Sequence, residues 1–153
     1  MSSTPDTAPR KFGGTPAQIR AAAGFYKVLA YATGVMLLLL VLEMVVKYFW
    51  KLELFIGGTM LDGTSNSIAL LNRAEITDGF NVSLAILIVH GWMYVVYLFA
   101  DFRLWSLMRW PFSRFITIAL GGVVPFLSFY TESKVHAEVE RDVAANPKAA
   151  KRY

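Results

Sequence analysis

The sequence predicts an all-α integral membrane protein with three transmembrane helices, a surface helix in the first loop and a polar helical extension at the C-terminus. Three observations carry that expectation. Apolar residues make up 56 % of the chain, against roughly 45–50 % in soluble domains. Charged residues reach only 17 %, against roughly 25 %. The apolar excess is also gathered in blocks of about membrane length, and a soluble chain of 153 residues has no interior large enough to hide them.

The elements follow in order. Residues 1–27 form a polar leader and pre-membrane helix, 28–130 the membrane domain, and 131–153 a helical polar tail. The leader "MSSTPDTAPRKFGG" (1–14) has no apolar period and reads as a flexible segment. Thr15-Pro16 is a helix start, a hydroxyl cap followed by proline at the first helical position. The first span is Val28 to Trp50 and the second Val82 to Leu104. At ~1.5 Å per residue each crosses a ~30 Å hydrocarbon core. The third, "FITIALGGVVPFLSFY" from Phe115 to Tyr130, is short. It reaches membrane thickness only if "RWPFSR" lies at the interface or the helix continues past Tyr130.

Between the first two spans, "TSNSIALLNRAEITDG" has cap-type residues, an apolar cluster at Ile68, Leu70 and Leu71, and a stop at Gly79. These features suggest a short helix on the membrane surface. Past the third span, Val135, Val139 and Val143 recur every four residues until Asn146-Pro147 ends the helix. That stripe is a candidate docking surface. Asn81-Val82-Ser83 matches a glycosylation sequon but abuts a span, so it reads as unmodified.

Charge orients the chain. The first loop carries Glu53, Asp62, Glu75 and Asp78 against Lys51 and Arg73, while "DFRLWSLMRWPFSR" carries Arg103, Arg109 and Arg114 beside Trp105 and Trp110. Arg10, Lys11, Arg20 and Lys27 flank the first span. Positive-inside reasoning places the N-terminus and the basic loop in the cytoplasm and the acidic loop outside. Three crossings then put the C-terminus outside, in a multi-pass plasma-membrane protein, although Lys148, Lys151 and Arg152 pull the other way. The net charge of +4 flanks apolar blocks, so it marks membrane edges and not a nucleic-acid face. With no cysteine, disulfides, thiolate metal sites and c-type haem attachment are excluded.

Ionisable residues inside a membrane are costly and have partners or functions. Glu43 and Lys47 lie one turn apart in the favourable order, which suggests mutual neutralisation. His90 lies at a depth similar to that of Glu43, and Glu132 caps the third span on the same side. Pro125 frees a carbonyl nearby. Together Glu43, Lys47, His90 and Glu132 form a candidate polar cluster near the outer face. Its bland reading is interhelical glue, with His90 bonded to Glu43, Tyr94 or Tyr97. Its sharper reading is a proton relay or a haem or quinone site. Bis-histidine haem lacks a second intramembrane histidine, since His136 is in the tail. Gly91, Gly121-Gly122 and Pro125 read as close helix packing and a kink. Nucleophile elbows, phosphate loops and paired catalytic carboxylates are absent from the sequence.

Lys47-Tyr48, His90-Gly91, Tyr97 and "PFLSFYTE" from Pro125 to Glu132 together resemble a family of small actinobacterial integral membrane proteins of unknown function. The resemblance covers roughly Tyr26 to Val135. Within that group, the long loop and helical tail look like association factors of the cytochrome bcc–aa3 respiratory supercomplex. The resemblance implies partners among the membrane subunits of respiratory complexes III and IV, together with lipids, and no cofactor or metal of the chain's own. The expected function is a non-catalytic accessory subunit. A small transporter or channel component using the Glu43–Lys47–His90 cluster is the alternative, and an enzyme acting on quinone or lipid ranks last.

Overall fold

Thr15 and Pro16 start the first helix as their types suggest. In the computed structural model, which describes residues 11–146, the Thr15 hydroxyl accepts from the Gln18 N–H at 3.2 Å and the Gln18 side chain accepts from the Thr15 N–H at 3.1 Å. This reciprocal pair satisfies two of the donors that a helix start leaves bare. Helix α1 (Pro16–Val45) then runs without interruption into a π-helical turn over Val46–Trp50. Lys51, in the left-handed region at φ 60°, stops it. Pre-membrane helix and first span are thus one rod of 35 residues, ~52 Å long at helical rise.

Helix α2 (Val82–Met108) begins on Asn81, whose side chain accepts from the Leu84 N–H at 2.9 Å, and lies antiparallel to α1. Tyr26 faces Tyr97 with ring centroids 5.6 Å apart, Glu43 bonds Ser83 near one end, and Gly13 bonds Leu107 near the other. Mean hydropathy reaches 2.3 and 2.0 in the most apolar windows of these two helices, yet only 22 % and 17 % of those windows is buried. A soluble core helix would be mostly buried. Here Val35, Leu39, Leu42, Leu87, Ile88, Val95 and Phe99 point outward.

The expected third span does not form. Helix α3 (Phe112–Ala119) tightens into a 3₁₀ turn over Leu120–Gly122, and helix α4 (Leu127–Ala145) starts afresh after a break. Pro125 supplies no N–H and disfavours helix at Val124, while Phe126 sits at φ 66°, a region costly for a residue with a side chain. The chain therefore reverses. Helix α4 runs antiparallel to α1: Ser128 donates to the Ala30 carbonyl at 2.7 Å, Lys27 faces Glu132, and Arg20 pairs with Glu140 at 3.3 Å. Its end therefore lies beside the start of α1, not at the opposite end of the bundle as three through-going spans would require. A side chain at Gly121 would meet the Thr131 hydroxyl at 2.9 Å and the Tyr97 hydroxyl at 3.1 Å, so the hairpin apex packs against α2 only because glycine stands there.

At the far end of α1 and α2, the expected surface helix is replaced by a small sheet. Strand β1 (Glu53–Ile56) pairs antiparallel with β2 (Ile68–Leu71) on one side and β3 (Phe80–Asn81) on the other. A four-residue apolar run does not distinguish strand from helix by its period, and pairing with β1 decides the matter. Gly58, at φ 94°, lets the chain turn against the Asp78 carbonyl, which any side chain would strike. The predicted helix survives only as a 3₁₀ turn over Arg73–Glu75.

The core fills the end where α1 begins. Phe12, Ile19, Ala22, Ala23, Tyr26 and Ala30 pack with Tyr97, Ala100, Leu104 and Met108 of α2, with Ile118, and with Val135, Val139 and Val143 of α4. Two expectations change here. Residues 11–14 are not a loose leader, since Phe12 is 1 % exposed. The valine stripe is already covered by its own bundle and offers no docking surface. Arg10, Pro147, Lys148, Lys151 and Arg152 lie outside the described residues.

Candidate functional site

The four ionisable residues expected to meet are held in three separate places. Glu43 accepts a hydrogen bond from the Ser83 hydroxyl, and that hydroxyl also accepts from the Leu54 N–H at 2.9 Å. Lys47 does not pair with Glu43. Its Nζ lies 2.7 Å from Glu53 Oε1, in the strand that begins two residues past the helix. Glu132 is 2 % exposed at the other end, with Lys27 Nζ 4.0 Å from its Oε1. It moves there because α4 folds back instead of continuing outward.

His90 stands between them, seven residues from Ser83 and seven from Tyr97, or ~10 Å along the axis from each. It is 8 % exposed, and its Nδ1 has no hydrogen-bond partner. The hydroxyls expected to bond it are turned elsewhere. Tyr97 donates to the Ile118 carbonyl at 2.6 Å and Tyr94 to the Ala119 carbonyl at 3.2 Å. Gly91 faces outward with nothing near it. The close approach expected of Gly91 occurs instead at Gly121 and Gly122, against Tyr97 and Tyr94. Pro125 is half-buried at the apex of the hairpin.

Two polar groupings not expected from the sequence do form. In the core, Asp101 is fully buried and neither carboxylate oxygen has a partner, one turn from Tyr97, whose hydroxyl lies 3.5 Å from that of Tyr26. The sequence carried a signal for it, since Tyr97, Asp101, Leu104 and Met108 fall at spacings of four, three and four on one helical face. Reading Asp101 as the first residue of a basic loop hid that face.

The second grouping is a cleft of about 400 Å³ between the ends of α1 and α2 and the sheet. Glu53 lines it, 8 % exposed. Besides Lys47 it accepts from Asn81 Nδ2 at 2.5 Å and faces Arg73 Nη1 at 3.9 Å. The Lys47 ammonium holds the Glu53 carboxyl below the ordinary carboxylate range, with help from Asn81 and Arg73 and against the opposing effect of burial. Deeper between the helices the walls turn apolar, with Leu40, Met44, Leu84 and Leu87. Among the described residues, no three histidine, aspartate or glutamate side chains converge in a way that could hold a metal ion.

Two apolar helices of membrane length, a helical hairpin buttressing one end and a small polar sheet capping the other define a small helical protein of membrane type. Residues 23–137 match the family described as "Domain of unknown function (DUF3817)", and the chain belongs to that family. The match covers the stretch over which the sequence resemblance was drawn. An uncharacterized protein of Mycobacterium tuberculosis is 28 % identical over 115 residues, 75 % of this chain and 73 % of the relative. A Mycobacterium bovis protein, also uncharacterized, matches to the same extent. An uncharacterized protein of Mycobacterium leprae is 40 % identical over 45 residues, 29 % of this chain and 38 % of that one. No solved structure matches the chain.

Proposed function

We propose that the protein is a non-catalytic accessory subunit embedded in the actinobacterial plasma membrane, bound to the cytochrome bcc–aa3 respiratory assembly through contacts with its membrane subunits. The observation that carries this reading is the separation of the intramembrane ionisable groups. A transporter built on Glu43, Lys47 and His90 needs them in one connected path. Here Glu43 is bonded to Ser83 and Lys47 to Glu53 at the sheet end, while His90 is ~10 Å along α2 from Ser83 with its Nδ1 unpartnered. The outward surface, by contrast, is apolar beyond what two lipid-facing helices require. Leu54 and Leu70 are opposite each other across the sheet, as are Ile56 and both Ile68 and Phe80. Their shared face is open, with Ile68 68 % and Phe80 62 % exposed. Large exposed apolar faces mark interaction surfaces. The respiratory assignment rests on the resemblance of the long loop and tail.

The basic residues Lys11, Arg20, Lys27, Arg103 and Arg114 gather at the end where α1 starts, and the acidic loop residues at the sheet end. Positive-inside reasoning puts the first end in the cytoplasm and the sheet outside. Because α4 returns to the start of α1, both ends of the described chain are then cytoplasmic, in accord with the basic residues of the tail. Gentle extraction of tagged protein tests the assignment: cytochrome bcc and aa3 subunits should co-purify, and recovery of a lone protein would overturn it. The cysteine-free sequence permits a topology test alongside, in which Ser65→Cys labels from outside intact cells and Ser106→Cys does not.

A further inference from the structure

The cleft between the helix ends and the sheet has an unusual charge balance. Glu53 is its one carboxylate at the rim, and two cations converge on it, Lys47 at 2.7 Å and Arg73 at 3.9 Å. A second hollow opens from the same rim and adds Lys51 while sharing Lys47, Tyr48, Glu53 and Arg73. One rim carboxylate therefore stands among three cationic side chains and pairs with two of them. Only Lys47 is closely engaged. The Arg73 side chain is 72 % exposed, with most of its donors free to turn toward a ligand.

The rim also marks a depth. Tyr48, 63 % exposed, lines it, and Phe49 and Trp50, 79 % and 63 % exposed, stand at the same level in the turn that ends the long apolar run of α1. Exposed aromatic residues in that position sit at headgroup level. Below the rim the cleft continues as a groove walled by Leu40, Met44, Leu84 and Leu87, open toward the hydrocarbon region. A ligand that fills both parts carries a negative group at headgroup depth and a flexible apolar chain beneath it.

We propose that this cleft binds an anionic phospholipid, with its phosphodiester against Arg73, Lys51 and Lys47 and one acyl chain in the groove between α1 and α2. A zwitterionic lipid fits less well. Its ammonium projects outward, toward the cations, while the remaining carboxylate, Glu43, is ~6 Å deeper than Lys47 at helical rise and already holds the Ser83 hydroxyl. The site does not depend on the respiratory assignment, and it can be tested on the protein alone.

The experiment is native mass spectrometry of the full chain released from nanodiscs of phosphatidylcholine mixed with phosphatidylglycerol. Wild type should retain phosphatidylglycerol in preference to phosphatidylcholine. A basic residue near a membrane surface contributes about 1 kcal/mol to anionic lipid binding, so Arg73→Gln and Lys51→Gln should each lower retention about fivefold. Both side chains are exposed, so folding should survive, and Arg141→Gln, the same change of charge on the polar helix α4, should leave retention unchanged. Added inorganic phosphate should not displace the lipid, because the acyl chain contributes to its binding. Equal retention of the two lipids, retention unaffected by both cleft substitutions, or displacement by inorganic phosphate would each overturn the proposal, the last by showing a simple anion site.

Discussion

The two ends of the bundle are built on opposite principles. At the end where α1 begins, four helices meet, and the protein buries its own apolar residues from Phe12 to Val143. At the sheet end only α1 and α2 continue, and no residue of α1 beyond Leu37 is buried. The hairpin of α3 and α4 makes the difference, because it climbs α2 only as far as Tyr94 before turning back. Polar chemistry follows the same division. The packed end hides Asp101 without a partner, whereas at the open end the two carboxylates of the cleft, Glu43 and Glu53, each accept from a named donor. Burial is completed by the chain itself at one end and left to lipid or another protein at the other.

The comparison breaks most severely if the hairpin is detached. Val139 is fully buried on the inner face of α4, and Val139→Asp places an unpaired charge there. The expected cost is about 3–5 kcal/mol, read as a lower thermal midpoint in detergent and as new labelling of a cysteine introduced at Ala23, on the face of α1 that the core covers. An unchanged midpoint would mean that α4 does not dock as described.

A gain is expected at the neighbouring acid. Both Asp101 oxygens lack partners, so Asp101→Leu replaces them with apolar atoms in a side chain of similar shape. Stability should rise by about 1 kcal/mol or more. If the midpoint falls, Asp101 has a stabilising partner in the membrane-embedded protein. If it rises while respiratory activity is lost, the acid is retained for function.

The smallest effect belongs to the open end. Glu53 titrates below its ordinary value of about 4.3, so its contribution to stability is complete above that pH and is lost as pH falls through the lower, folded-state value. Protection of the Leu54 and Phe55 amides against hydrogen exchange, relative to the intrinsic rate at each pH, should therefore fall below about pH 4, while protection at the packed end should not change. Glu53→Gln should abolish the pH dependence. Asp62, also held low by its bonds to Thr64, is exposed and joins only its own turn, so it should not reproduce the effect.

Much of this protein was legible locally. The cap at Thr15, the start of α2 at Val82 and the helix ending at Asn146 each follow from residue types within a few positions, because capping and proline chemistry act over one helical turn. Periodicity likewise shows that Val135, Val139 and Val143 share a face. What it leaves open is the surface that covers them, since an apolar stripe is satisfied equally by lipid, a partner or its own bundle. Only the tertiary structure decided that. Direction of travel through the membrane belongs to the same class: "GGVVPF" reads as a kink in a span or as the apex of a hairpin, and contact of Gly121 and Gly122 with Tyr97 and Tyr94 selects the hairpin. That reversal carries Glu132 away from Glu43 and to Lys27. Ion-pair partners and strand pairing at Ile68–Leu71 depend on residues distant in sequence. Their energies do not exist until the chain has closed those distances.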